Sequence, residues 1–253
     1  MTYKFKSFLI QLADAADAIS LRYFQSKDFV AGQKSDATFV TQADHEIEEA
    51  VSGMARNAYP EIAIVGEEYG EIGSGSLRLY IDPIDSTHNF ITGIPLFATL
   101  LAIESDGEVV ASMVSAPGLR CRWSAQKGAG SYLNGKRMSV SSVSNLTQAT
   151  VFHGSLFGQE AKETPKSMLD LLAKTSRQRG FGDFYAHMLV AMGAGEIAVD
   201  FGMKPWDIAP IPLIVREAGG GCTDAWGRGA FSSGSLVSTN GILTREVVSY
   251  FQP

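Results

Sequence analysis

Tyr80-Ile81-Asp82-Pro83-Ile84-Asp85-Ser86-Thr87 ends an apolar run, Leu77 to Ile81, on two carboxylates three residues apart followed by two hydroxyls. A run of that length and character reads as a buried strand with Asp82 at its end. Pro83 has no N–H and is expected to stop the ladder there, leaving Ser86 and Thr87 to open a helix whose free N–H groups can receive an anion. Alone, the same residues also fit a plain polar turn. The neighbouring elements decide between the two.

Toward the N-terminus, Ile62 to Val65 reads as a second short buried strand, ending at Gly66-Glu67-Glu68, so two strands deliver acids at their ends. Before it, Thr41-Gln42-Ala43-Asp44 has the form of a helix N-cap with an acidic first turn, leading into Ile47, Val51, Met54 and Ala55. Residues 26–40 are polar and contain glycine, and Phe5, Phe8, Leu9, Leu12, Ala16 and Ile19 give an amphipathic first helix. Toward the C-terminus, the turn signals Asp106-Gly107, Ala116-Pro117-Gly118, Gly128-Ala129-Gly130 and Asn134-Gly135 predict a mainly antiparallel sheet over Leu96 to Met138. Helices near 160–176 and 184–194, a strand near 195–201 and a helix over about 207–218 follow. This order predicts an α/β sandwich of two lobes, residues 1–145 and 146–253, forming one compact unit with no tether between them.

The chain has 253 residues, 45% hydrophobic and 19% charged, the composition of a globular protein. A formal charge of −6 and the lack of a basic tract argue against a nucleic-acid surface. Cys121 and Cys222, far apart, indicate neither a disulfide framework nor a zinc site. No apolar run approaches the ~18 residues that span a bilayer, and the cytoplasm is the expected compartment.

Glu67, Glu68, Asp82, Asp85 and Asp207 are the acids at element ends. Asp207 precedes a strongly apolar helix and by itself fits a capping carboxylate. If these acids converge, two charges ~4 Å apart cost about 4 kcal/mol at an effective dielectric of 20. Protons or cations must then occupy the middle. Oxygen donors suit hard divalent ions, Mg²⁺ first, with Mn²⁺ or Ca²⁺ as competitors.

Gly66-Glu67-Glu68, Asp82-Pro83-Ile84-Asp85-Ser86-Thr87 and Trp206-Asp207-Ile208-Ala209-Pro210, followed by Glu217-Ala218-Gly219-Gly220, closely resemble the motifs of the inositol monophosphatase family of metal-dependent, lithium-sensitive phosphatases. The resemblance runs from Phe39-Val40-Thr41-Gln42-Ala43-Asp44 to Ser238-Thr239-Asn240-Gly241. It implies a layered αβαβα sandwich of the inositol monophosphatase and fructose-1,6-bisphosphatase type, often a homodimer. It implies a first Mg²⁺ on Glu67, Asp82 and the Ile84 carbonyl, a second on Asp82, Asp85 and Asp207, and a weaker third leaning on Glu67. It also implies that Thr87, hydrogen-bonded to Asp44, orients the attacking water, and that the Ser86 and Thr87 amides hold phosphate. The family usually has glycine where this chain has Ser86, whose Cβ would crowd the ligand if the local φ is positive.

Arg179-Gly180-Phe181-Gly182-Asp183-Phe184-Tyr185 is similar to the histidinol-phosphate phosphatase branch of that family, which carries Gly-Asp-Phe here. Asp183 suits a cationic amine or imidazole better than a neutral polyol. Phe184 and Tyr185 fit either a ring-stacking surface or core packing. Asp200 aligns with a position that contacts the substrate, and Arg179 is a further candidate. Asp85 and Asp207 would also face the substrate. The four histidines, His45, His88, His153 and His187, show no ligand spacing and read as surface or packing residues. The expected activity is Mg²⁺-dependent hydrolysis of L-histidinol phosphate, a small-molecule ester. Inositol 1-phosphate and, less well, adenosine or fructose bisphosphates are the alternative substrates. A non-catalytic regulator with this fold is the reading of a different class, and it sits poorly with an acid set that is complete.

Overall fold

The computed structural model describes residues 3–26, 31–33, 39–157, 165–230 and 233–252. Helix α1 (Tyr3–Ser26) precedes a ribbon of β1 (Ala31–Gln33) and β2 (Phe39–Thr41), then α2 (Gln42–Ala58), β3 (Ala63–Gly66), β4 (Gly70–Ile72) and β5 (Leu77–Asp85). A short helix α3 (Thr87–Thr92) leads into the meander β6 (Ala98–Ser105), β7 (Glu108–Ala116), β8 (Cys121–Gln126), β9 (Gly130–Leu133) and β10 (Lys136–Arg137). Then come β11 (Thr150–His153), α4 (Ser167–Lys174), β12 (Arg177–Arg179), α5 (Asp183–Ala191) and β13 (Ile197–Phe201). The chain closes with α6 (Pro205–Ile208), α7 (Pro210–Glu217), β14 (Gly221–Thr223), β15 (Ser235–Thr239) and α8 (Thr244–Ser249).

Eight strands form one sheet in the order β10-β9-β8-β7-β6-β5-β3-β4, and five form another in the order β12-β11-β13-β15-β14. Side-chain alternation stacks the layers. In β6, Leu101 and Ile103 join Leu9 and Leu12 of α1 and Ile47 and Val51 of α2, whereas Ala98 and Leu100 face Phe184 and Met188 of α5 and Ile211 and Ile214 of α7. In β13, Ala198 meets Leu189 and Val190 of α5, while Ile197 and Val199 pack under Leu171 of α4 and Val247 of α8. The sequence of layers is therefore helix, sheet, helix, sheet, helix, as the period-two pattern of each strand requires.

The predicted meander is present, with Asp106, Gly107, Asn134 and Gly135 all at positive φ in its tight turns. At its far end Glu217 of α7 accepts the N–H groups of Gly128 and Gly130, both at 2.7 Å.

Two expectations need correction. Pro83 does not end the strand: β5 runs on to Asp85, and its pairing with β6 shifts, Asp82 lying opposite Leu100 and Asp85 opposite Ala98. Two residues, Pro83 and Ile84, thus stand against one, Thr99, a β-bulge in which the Thr99 hydroxyl donates to the Pro83 carbonyl at 2.8 Å. The single helix over 207–218 is two, because Pro210 cannot donate inside a helix and instead starts α7. Of the helix near 160–176, the described part is α4 from Ser167, and residues 158–164 lie outside the described residues, as does most of the polar segment 26–40.

Candidate active site

The bulge in β5 decides where its acids point. Leu79 and Ile81 face the outer helices, Tyr80 faces the inner layer beside Trp206 and Ala209, and Asp82 follows Tyr80 to that inner side. In a regular strand Asp85 would turn the opposite way. With one residue added, Ile84 joins the outer core and Asp85 turns inward, where its Oδ2 accepts the Phe184 N–H at 2.8 Å. Asp207 arrives from α6, its Oδ2 accepting the Lys204 N–H at 2.7 Å.

Burial first, and then the charges of Glu67, Asp85 and Asp207, push the Asp82 carboxyl well above the usual carboxylate range. Asp85 is raised in the same way by burial and by Asp183 and Asp207. Asp207 is pushed up to about 7, mainly by burial and against the opposing Lys204 hydrogen bond. Asp82 is 3% exposed, and its Oδ1 has no hydrogen-bond partner.

No three acids among the described residues close into a finished coordination cage. Glu67, Asp85 and Asp207 nevertheless all act on the charge of Asp82, with no Lys or Arg side chain among the largest influences on the buried aspartates. An unpaired buried carboxylate oxygen within an all-oxygen set fits a hard divalent cation.

Glu67 is delivered by the turn after β3, and the residue that holds this turn was not singled out from the sequence. Glu48 of α2, fully buried, accepts the N–H groups of Glu68 at 2.8 Å and Tyr69 at 3.1 Å. Gly66 makes room for it, since a Cβ there would fall 1.8 Å from Glu48 Oε1. The signal was an acid on the apolar face of α2, four residues after Asp44 and next to Ile47.

Asp44 is fully buried, and its Oδ2 accepts both the N–H and the hydroxyl of Thr41 at 2.7 Å in a capping box. Burial pushes it up to about 7, with the charges of Glu67 and Glu68 adding to the effect, and its Oδ1 has no partner. The expected bond between Thr87 and Asp44 is not formed. Thr87 Oγ1 donates to the Ile84 carbonyl at 3.0 Å instead.

Ser86 adopts φ 66°, and its hydroxyl donates to Asp183 Oδ2. Phe184 is fully buried and packs edge-on to Trp123, so it belongs to the core, while Tyr185 and the partly exposed Phe181 lie with ring centroids 5.8 Å apart. Asp200 Oδ1 accepts the Gly154 N–H at 2.9 Å. This close passage of two loops requires glycine: a Cβ on Gly182 would fall 2.5 Å from the Gly154 Cα.

His187 also went unread as a site neighbour. It is fully buried, its Nε2 is 3.3 Å from Asp200 Oδ2 and its Nδ1 is 2.8 Å from Ser238 Oγ. Its position four residues after Asp183, in an otherwise apolar helix, was the available sign. Arg179 is exposed on the edge strand β12 and donates to the Gln178 carbonyl, not to an acid of the cluster.

The family model described as "Inositol monophosphatase family" matches residues 2–252. A histidinol-phosphatase of Streptomyces coelicolor is 38% identical over 248 residues, covering 94% of this chain and 93% of its own. A histidinol-phosphatase of Mycobacterium tuberculosis is 37% identical, covering 95% of both chains. Among solved structures, the IMPase of Thermotoga maritima superposes with a TM-score of 0.88 at 30% identity, over 98% of this chain and 96% of its own.

Proposed function

This chain belongs to the inositol monophosphatase family, and from that membership we propose that it is a metal-dependent phosphomonoesterase that hydrolyses L-histidinol phosphate to L-histidinol and phosphate. The observation that carries the substrate is the exposed Asp183 carboxylate, close enough to raise Asp85 and set at the start of α5 where a leaving alcohol would emerge from the acid cluster. An amine or imidazolium offsets that charge, and a neutral polyol does not. The two histidinol-phosphatases that match nearly end to end support the same substrate.

Glu67, Asp82, Asp85, Asp207 and the Ile84 carbonyl are the proposed donors for Mg²⁺, two ions per site with a third at most. Bound there, Mg²⁺ supplies Lewis acidity that makes water a stronger nucleophile and offsets charge on the phosphate oxygens. The remaining roles fall to the chain. With its proton committed to the Ile84 carbonyl, the Thr87 hydroxyl has lone pairs left to accept a hydrogen from the attacking water and aim it. Asp44 Oδ1 is the unpartnered acceptor nearest in character to a proton receiver, under the electrostatic influence of Glu67. The amides of Ser86 and Thr87 are assigned to the phosphate, and Asp200 and Asp183 to the substrate's nitrogen groups. Arg179 keeps at most a peripheral part. A homodimer is carried with this proposal, to be checked by light scattering.

The deciding experiment compares kcat/KM for L-histidinol phosphate and myo-inositol 1-phosphate with Mg²⁺. A preference of ~100-fold for the former, about 2.7 kcal/mol of transition-state binding, supports the proposal. A preference for the inositol ester keeps the metal chemistry and overturns the substrate.

A further inference from the structure

Five described non-glycine residues have positive φ, and three of them, Asp106, Arg120 and Asn134, sit in turns of the meander. The other two are Ser86 at 66° and Asp183 at 58°, and they touch each other across 97 residues of sequence. Neither conformation is needed for a reverse turn in a hairpin. Strained backbone of this kind persists where its surroundings hold it and is concentrated at functional sites.

The Ser86 side chain makes no capping bond to α3, although a serine at that position ordinarily would. Its hydroxyl is committed to Asp183. One residue away on each strand of chain a second tie runs the other way, from the Phe184 N–H to Asp85 Oδ2 at 2.8 Å. Residues 85–86 and 183–184 therefore form a two-point clasp between the end of β5 and the start of α5.

The geometry points to Ser86 as a positioning residue for specificity: its hydroxyl fixes the Asp183 carboxylate at the mouth of the acid cluster, selecting phosphate esters whose alcohol carries a cationic nitrogen. This rests on the substrate reading above for the identity of the preferred ester, but the clasp itself does not. A free carboxylate on an exposed helix end samples several rotamers, and each lowers the chance that it meets the incoming cation in place. Each carboxylate oxygen has two lone pairs, so an Asp183 that accepts the Ser86 hydroxyl still presents negative charge to a cation.

The test is a double-mutant cycle of Ser86→Gly, Asp183→Asn and the double variant, with Mg²⁺ held constant. Glycine relieves the positive φ, so a loss cannot come from added strain. For L-histidinol phosphate against glycerol 2-phosphate, S86G is expected to lose about tenfold more kcat/KM on the cationic ester, mostly through KM. In the Asp183→Asn background the same change is expected to leave that ratio where it was. Equal losses on both esters, or a selectivity loss that persists without the Asp183 charge, overturn the proposal. Thermal unfolding of a parallel cycle built with Asp183→Ala, whose methyl cannot accept the Ser86 hydroxyl as asparagine still could, reads the clasp without any substrate. Shifts that fail to add by about 2 °C or more support it, and additive shifts overturn it. A wild-type enzyme that turns over both esters equally overturns the substrate reading and the selectivity claim together, while the unfolding cycle still decides the contact.

Discussion

At Asp82 burial and three neighbouring acids all oppose the carboxylate's charge. That opposition is tolerable in a protonated or cation-bound site and nowhere else. Asp82→Asn is therefore expected to lower turnover by at least ~10³-fold, a loss above ~4 kcal/mol of transition-state stabilisation. Near-normal phosphate release at saturating Mg²⁺ would sink the metal assignment. At the outer edge of the same cluster, Asp183→Ala should cost kcat/KM for L-histidinol phosphate ~10-fold or more beyond its cost for inositol 1-phosphate. Equal losses measured side by side would make Asp183 a structural residue.

Between β3 and β4, the turn that presents Glu67 depends on one buried carboxylate in α2. Glu48→Ala would leave two N–H groups of that turn without acceptors, each costing about 1–3 kcal/mol if it stays buried. Gly66→Ala should act through the same contact, because the new methyl would displace Glu48 Oε1. Both variants are expected to need several-fold more Mg²⁺ for half-maximal activity; titrations superimposable on the wild type would show that the turn holds Glu67 unaided. Elements of this kind also mark how far the sequence could be read. The meander and the capping box at Thr41 and Asp44 were legible because turn residues and caps act locally. The acids at strand ends were visible as well, through their spacing and their resemblance to a family. Glu48 and His187 were not, since a polar side chain on an apolar helix face signals burial but not the partner it is buried against, which lies 20 or 51 positions away. Pro210 was passed over because a proline that starts a helix and one that breaks it read alike in sequence.

At the scale of the molecule, one buried cluster joins β6, β7 and β8 of the large sheet to α5 and α7, and Leu236 of the small sheet belongs to it too. The acid set draws on the same two sides: Asp82 and Asp85 from β5, Asp207 from α6, and Asp183 from α5. Repulsion among these groups works against the packing that brings them together, so cation binding should stabilise the whole fold. At a Mg²⁺ concentration of ~100 Kd the gain is about 2.7 kcal/mol, which for a chain of this size corresponds to roughly 5–10 °C in Tm. Calorimetry with Mg²⁺ and with a chelator checks this directly, and a wild-type Tm that is indifferent to Mg²⁺ would count against a site built from these acids. Asp82→Asn should shrink the shift while raising the Tm of the metal-free protein. No helix among the described residues is long and apolar enough to cross a membrane.

The bulge at Pro83 has a consequence in arithmetic. On a strand, odd spacings separate side chains and even spacings unite them, so two aspartates three apart belong on opposite faces, one of them among the phenylalanines and isoleucines of the outer core. The single supernumerary residue changes the parity of everything after it. Deleting either Pro83 or Ile84 would repair the ladder and leave the composition of the site almost intact. With the spacing cut to two and the bulge removed, Asp82 and Asp85 would again share a face, but the chain beyond them would be one residue short. Ser86, Thr87 and α3 would be drawn back along the strand, away from the acids they serve. What the bulge conserves is thus reach as well as facing, and a deletion that restores the ladder gives up the reach.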